Sequence, residues 1–278
     1  MEKTVSEAIK YRRSVRRFDK DLEIDDNIVK KCIENAVLAP TSSNLQLWEF
    51  YHITNNNLIK KIAKSCFNQP AARTAKQLVI TVVRRDLWRD RAKDNIKFQE
   101  SNKESMSERE YKLVMKYYKT VIPLAYNNFL GILSYIKYLY AWFIGLFRVI
   151  FRQLRKSDMR IVAHKSAGLA SQNFMISMAG YNYDTCPMEG FDSIRIKKNL
   201  NLSKSSEINM IIGCGIRSSK GVYGKRFRIP FKKVYKKRSS LVYFNDSEIE
   251  RSNQFLKFLS EAYCIGSLKI SPVGFMAT

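Results

Sequence analysis

The chain has 278 residues, 45% hydrophobic and 27% charged, a globular composition that excludes a disordered or collagen-like chain and suffices to bury a core. Lys and Arg number 49 against 25 Asp and Glu, and the resulting +24 favours anionic partners: nucleic acid, anionic lipid or phosphate-bearing ligands. Five cysteines without a Cys-x-x-Cys pair, and two histidines, argue against a disulfide framework, a structural zinc site or a His-rich metal site, and fit a reducing compartment.

The first residues carry no apolar run and do not read as a secretory signal. Residues 5–12 read as a short helix with Val5, Ala8 and Ile9 on one side, followed by the basic turn Arg12-Arg13-Ser14-Val15-Arg16-Arg17. A second helix has Asp25 or Asp26 as its cap, carries Ile28, Cys32, Ile33, Ala36 and Val37 at helical spacing, and stops at Pro40. Residues 48–54 read as a strand. Residues 56–65 read as a helix through Leu58, Ile59 and Ile62, and the β-branched run 77–84 reads as a buried strand. Residues 86–118 are highly charged and read as helical. Residues 158–180 hold Ala163, Ala167, Gly168, Ala170 and Ser171 at close spacing, which predicts a long helix packed tightly on another. Residues 207–216 read as a third buried strand ending in glycines, and the tail can form a helix around 246–263. No internal repeat is visible, and alternating helices and strands give a mixed layer fold.

The apolar stretch 129–151 is about the length of a membrane span, but Lys137 and Arg148 interrupt it. Three readings stand: a span, a segment lying in the membrane interface, or a hydrophobic insertion covering a cleft or dimer seam. Its aromatic residues Tyr135, Tyr138, Tyr140, Trp142, Phe143 and Phe147 suit an interface or a lid.

Four motifs could carry chemistry. In Arg12-Arg13-Ser14-Val15-Arg16, guanidinium groups and a hydroxyl can wrap a phosphate. The loop from Ala39 to Trp48 presents short polar side chains after Pro40. In Cys186-Pro187-Met188-Glu189-Gly190-Phe191-Asp192, a proline and a glycine allow the backbone close to a flat ligand. Gly224-Lys225-Arg226-Phe227-Arg228-Ile229-Pro230 adds further cations. Taken singly, each also reads as ordinary turn or surface chemistry. No zinc-finger spacing or aromatic-basic signature points to nucleic acid, which is not expected as a partner.

In order, the segments AIKYRRSVRRF, APTSSNLQLWEF, CPMEGFD, the glycine-ended strand and KRFRIP resemble the FMN-dependent nitroreductase family, over about residues 4–84 and 158–234. The resemblance implies an α+β fold, a central, mainly antiparallel sheet flanked by helices, in a homodimer with FMN at the subunit interface. It also implies a single domain over 1–234, with 86–157 a hydrophobic helical insertion or lid and 235–278 a C-terminal extension. Carried over by residue, Arg12, Arg13, Ser14 and Arg16 would hold the phosphate and ribityl end, and Arg226 and Arg228 would complete the clamp. Pro40, Thr41, Ser42 and Asn44 would reach the flavin from the other subunit. Pro187, Met188, Glu189 and Gly190 would lie against the ring, with a Glu189 or Gly190 N–H near N5, and Asn68 and Gln69 would contact its pyrimidine end. Arg16 is the candidate cation for the anionic reduced ring. The expected donor is NADH or NADPH. The expected acceptor is a small electron-poor molecule such as a nitroaromatic or quinone, reduced in a ping-pong cycle in the cytoplasm, with membrane-surface contact through 129–151 open. The chain departs from the family at Leu47, where proline is usual, and in the length of 86–157. A flavin-binding protein without turnover and a basic membrane-surface protein are the alternatives.

Overall fold

The computed structural model describes residues 2–127, 132–153 and 155–238. The first helix, α1 (Val5–Tyr11), starts at a capping box in which Thr4 and Glu7 satisfy each other's main-chain N–H groups. Helix α2 (Asp26–Ala36) is capped by Asp25, which accepts from the Asn27 N–H at 2.7 Å. Strand β1 (Trp48–Ile53) is followed by α3 (Asn56–Ser65), the short α4 (Pro70–Arg73) and strand β2 (Gln77–Val83).

The charged segment after β2 is not one helix. It divides into α5 (Trp88–Ser101), α6 (Glu108–Lys116) and α7 (Ile122–Tyr126). The Asn102 side-chain amide donates to the Phe98 carbonyl at 2.7 Å, and Ser107 with Glu110 forms a new capping box. Competing side-chain bonds therefore end one helix and start the next. Helix α8 (Ile132–Ile144) has 13 residues, and among the described residues no helix is long and apolar enough to cross a membrane. The long helix α9 (Lys156–Gly180) precedes strand β3 (Asp184–Met188), α10 (Ser193–Asn199), strand β4 (Glu207–Gly215) and α11 (Phe231–Val234). The helix expected around 246–263 and Cys264 lie outside the described residues. So do residues 129–131 of the apolar stretch.

The four strands pair antiparallel in the order β1-β2-β4-β3. Strand β2 is buried along its whole length, and its period of two sorts its side chains to the two faces. Leu78, Ile80 and Val82 enter a core with Ile59 and Ile62 of α3 and Ile196 of α10. Val79 faces Val29 and Cys32 of α2 and Phe174 and Met178 of α9. Thr81 shares a buried hydroxyl–hydroxyl bond of 2.8 Å with Ser171 of α9. In β4, Ile208 and Ile211 join the same core although they stand three positions apart, which simple alternation would send to opposite faces. The register shifts opposite Thr81 and Val82, so Asn209 bulges and reverses the alternation.

Strand β3 is where sequence reading expected a turn. It contains Pro187, which suits an edge strand. Thr185 offers its carbonyl outward to the Val15 N–H at 3.1 Å. By alternation the Pro187 nitrogen also points outward, where no β4 bond is lost.

Candidate functional site

Helix α1 ends where Arg12 adopts an extended backbone, and the chain then runs alongside β3. Val15 is fully buried and anchors this run. The run brings the Arg16 guanidinium to the Cys186 thiol at 3.8 Å. From the far end of the chain, the carbonyl of Gly221 accepts from the Arg16 N–H at 2.7 Å. Only glycine fits there, because a Cβ on Gly221 would lie 2.5 Å from the carbonyl oxygen of Arg17. The Arg13 guanidinium donates to the Gly224 carbonyl at 3.0 Å, and that of Arg226 donates to the Lys10 carbonyl at 2.8 Å and to the Arg12 carbonyl.

The result is a cavity of about 300 Å³. Arg12, Arg13, Ser14 and Arg16 form one wall; Val222, Tyr223, Lys225, Arg226, Phe227 and Arg228 form the other. Among the described residues, none of these six cations forms an ion pair with a carboxylate (Arg12, Arg13, Arg16, Lys225, Arg226, Arg228). Burial pushes the Arg12 guanidinium below its ordinary pKa, and the like charges of Arg226 and Arg228 push it further. Clustered cations without counter-charge repel one another, so the arrangement is at its most stable with an anion between them. Cys186 faces the same cluster; burial raises its thiol pKa, against the opposing pull of Arg16 and Arg12.

The end of β3 builds a second part of the site. Met188 is buried, Pro187 half-buried, and Glu189 and Gly190 exposed. The Gln69 side-chain amide donates to the Gly190 carbonyl at 2.7 Å, and the Asp192 N–H bonds the Ser65 carbonyl at 2.8 Å. Phe67 and Asn68, just before Gln69, hold left-handed backbone at φ 56° and 51°. Such backbone is strained for Phe67, which is also exposed. The main-chain N–H groups of Glu189 and Gly190 make no hydrogen bond among the described residues, which leaves two donors for a ligand.

The loop of Pro40, Thr41, Ser42 and Asn44 does not line the arginine cavity. It packs on α5, α9 and the turn before α7. The Ser42 N–H bonds the Ser166 hydroxyl at 3.4 Å, Ser43 shares a 2.6 Å bond with the Tyr117 hydroxyl, and Asn44 exchanges bonds with Asn95 at 2.9 and 3.0 Å. Ser43, Asn44 and Gln46 all have positive φ, so these bonds hold a strained loop in which Pro40, Ser42 and Asn44 are exposed residues. Sequence reasoning missed Val222 and Tyr223 of the cavity and the supporting Asn95 and Tyr117. The first two stand just before the Gly224–Pro230 motif, and adjacency to that motif was the available signal.

The model of the nitroreductase family matches residues 9–216. Protein DrgA of Synechocystis is 27% identical over 225 residues, which is 81% of this chain and 89% of that protein. A nitroreductase-type structure from Exiguobacterium sibiricum, solved in complex with FMN, superposes with a TM-score of 0.59 at 19% identity, over 85% of this chain and 98% of that one. The NADPH:FMN oxidoreductase of Vibrio harveyi, complexed with NAD+, superposes with a TM-score of 0.53 at 14% identity, over 92% and 86%. The strand order, the glycine-lined end of β4 and the matched span leave one assignment: this chain belongs to the nitroreductase family.

Proposed function

We propose that the protein is an FMN-dependent oxidoreductase that takes hydride from NADH or NADPH and reduces a small electron-poor acceptor such as a nitroaromatic or quinone. The observation that carries this reading is the set of six cations around one cavity, none of them in an ion pair among the described residues. A phosphate monoester brings about two negative charges to such a site. Arg12, Arg13, Arg16, Arg226 and Arg228 would hold it, with Ser14 donating a hydroxyl.

The tricyclic ring would extend toward the end of β3. There half-buried Pro187 would give an apolar surface, backed by the buried Met188, the N–H groups of Glu189 and Gly190 could bond a ring nitrogen, and Gln69 keeps Gly190 in position. Asn68 stands beside that bond. FMN, when bound, supplies reversible hydride acceptance at N5; the protein's part is binding, orientation and electrostatics. Arg16 would sit where negative charge develops on the reduced ring. The donor and acceptor would occupy the same ring face in turn, a ping-pong cycle, since flat electron-poor rings stack well there.

Pro40, Thr41, Ser42 and Asn44 do not line their own cavity, which supports a homodimer in which this loop reaches the partner's flavin. Residues 86–157 would cover the site and select the acceptor within a single domain over 1–234.

The test is spectroscopic. The purified protein should absorb near ~450 nm, release FMN on denaturation, and bleach when NADH or NADPH is added. Bound flavin that neither nucleotide reduces would leave a binding protein without turnover, and a colourless protein that takes up no FMN would remove the reading.

A further inference from the structure

Helix α8 is amphipathic in the inverse sense to a helix on a water-soluble surface. Its inward side carries Lys137, Tyr138, Ala141, Ile144 and Gly145, buried or half-buried, with Ala141 at 1% exposure. Its outward side presents Ile136, Leu139, Tyr140 and Phe143 at helical spacing, and Phe147 continues that line; all are exposed. Tyr135 and Trp142 flank them and are exposed as well.

The charges that would spoil an apolar face are turned away from it. The Lys137 ammonium donates to the Leu124 carbonyl and, at 2.6 Å, to the Asn127 carbonyl at the end of α7. Arg152 folds back onto the Gly145 carbonyl at 2.5 Å. The Arg155 guanidinium lies 5.1 Å from the Tyr138 ring and pairs with Asp158. A lysine inside an apolar helix argues against a lipid-facing role only if its charge meets the lipid, and here it does not.

Charge selects the occupant of this face. Between Glu110 and Asp158 the chain contains no acidic residue, while Lys116 and Lys156, on either side of α8 in the chain, are exposed. A second copy docked through this same face would set one acid-free segment, 111–157, against another, cation facing cation. An anionic bilayer would accept the aromatic and aliphatic face while its headgroups neutralise the flanking cations. At 13 residues and 1.5 Å per residue, α8 spans about 20 Å, short of the ~30 Å hydrocarbon layer, so it can lie in the interface but not cross.

We propose that α8 and the turn after it, through residue 152, dock this protein on an anionic lipid surface, with α8 parallel to the membrane plane and Leu139, Tyr140 and Phe143 buried among the acyl chains. This stands independently of the flavin reading.

The test is flotation of the full chain with vesicles of phosphatidylcholine containing phosphatidylglycerol, against vesicles of phosphatidylcholine alone. Wild type should float with the anionic vesicles at low salt and be released as salt rises. The double variant L139E/F143E should lose at least tenfold in bound fraction while keeping its far-ultraviolet circular dichroism and thermal midpoint. Trp142 gives a second readout on unmodified protein, because Trp48 and Trp88 are buried. Its emission should shift to the blue on adding anionic vesicles, and W142F should abolish that shift. Three results overturn the proposal. One is no flotation with anionic vesicles at low salt. Another is a fall in sedimentation mass in L139E/F143E, which assigns the face to a second copy. The last is a Trp142 emission already blue in buffer and unmoved by vesicles, which assigns it to another part of this chain.

Discussion

The Arg226 guanidinium donates to the main-chain carbonyl of Arg12, so two like-charged side chains are held in register on facing walls of one cavity by a bond that ignores their repulsion. The cost of that closeness is visible in Arg12, whose pKa falls first through burial and then through Arg226 and Arg228. An anion between the walls relieves it. FMN, pyrophosphate or sulfate should therefore raise the thermal midpoint of the flavin-free protein, by about 2.7 kcal/mol in stability at a hundredfold excess over Kd. Differential scanning fluorimetry checks this, and chloride at equal ionic strength should give a much smaller shift.

Arg228→Ala removes a charge from the cavity without touching the folds that frame it, since among the described residues its side chain bonds only to the carbonyl of the adjacent Phe227. Charge-assisted hydrogen bonds contribute about 1.5–3 kcal/mol. FMN affinity should fall about 10- to 100-fold by fluorescence titration, with the unfolding midpoint of the flavin-free protein unchanged or slightly raised.

Arg16→Ala separates binding from electronics. If Arg16 neutralises charge on the reduced ring, the two-electron potential of bound flavin should become more negative by about 30 mV or more, where 30 mV is about 1.4 kcal/mol. Dye-coupled reductive titration reads the shift. An unmoved potential would assign Arg16 to the phosphate alone.

Asp184 is 1% exposed and paired with Arg217, whose main-chain and side-chain N–H groups both donate to it. Arg217 also lies 4.3 Å from the Tyr11 ring, so the pair ties α1 to the sheet. Asp184→Ala strands a half-buried guanidinium and should cost about 3 kcal/mol in urea unfolding. FMN affinity should fall with it, because α1 carries Arg12.

Glu207 sets an acid limit. Its burial raises the carboxyl pKa, but bonds from Arg160, Arg85 and His164 outweigh that and leave it below the ordinary value. A carboxylate depressed on folding stabilises above its unfolded pKa, and the contribution is lost as pH falls through the folded one. Urea midpoints should drop from pH 5 toward pH 3, and Glu207→Gln should flatten that slope while lowering stability at pH 7.

Much of this molecule was readable before its coordinates. Helices α1 and α3 and strands β1, β2 and β4 follow their predicted bounds within a residue or two, because hydrophobic period and capping residues define them locally, while α2 starts as expected but ends at Ala36, short of the expected stop at Pro40. The small residues of α9 do not make its contact with α2: Phe174, Met175 and Met178 do, while Ala163 and Ala167 meet Trp88 and Ala92 of α5 and Ala170 meets Trp48 of β1. Strand β3 escaped because it is short and contains Pro187, and only its edge position makes that proline acceptable. The break at Asn102–Ser107 escaped because a charged helical pattern does not reveal which side chains bond back to the main chain. The two arginine motifs were legible as one cationic site, and the structure brings them to one cavity. What sequence did not reveal is that the Gln69 amide holds Gly190, or that Asn95 and Tyr117 brace the strained loop at Ser43 and Asn44. Those contacts join residues far apart in the chain, and no spacing rule reaches them.

The seam at Gly221 has a consequence for biosynthesis. One wall of the cavity comes from residues 12–16, which leave the ribosome early, and the other from residues 222–228, which leave it late. The nascent chain has no complete anion site until nearly all of the described structure has been made and the Arg16 N–H has found the Gly221 carbonyl. Assembly of this cation-lined cavity is thus a closing event of folding, because neither wall stands complete without the other.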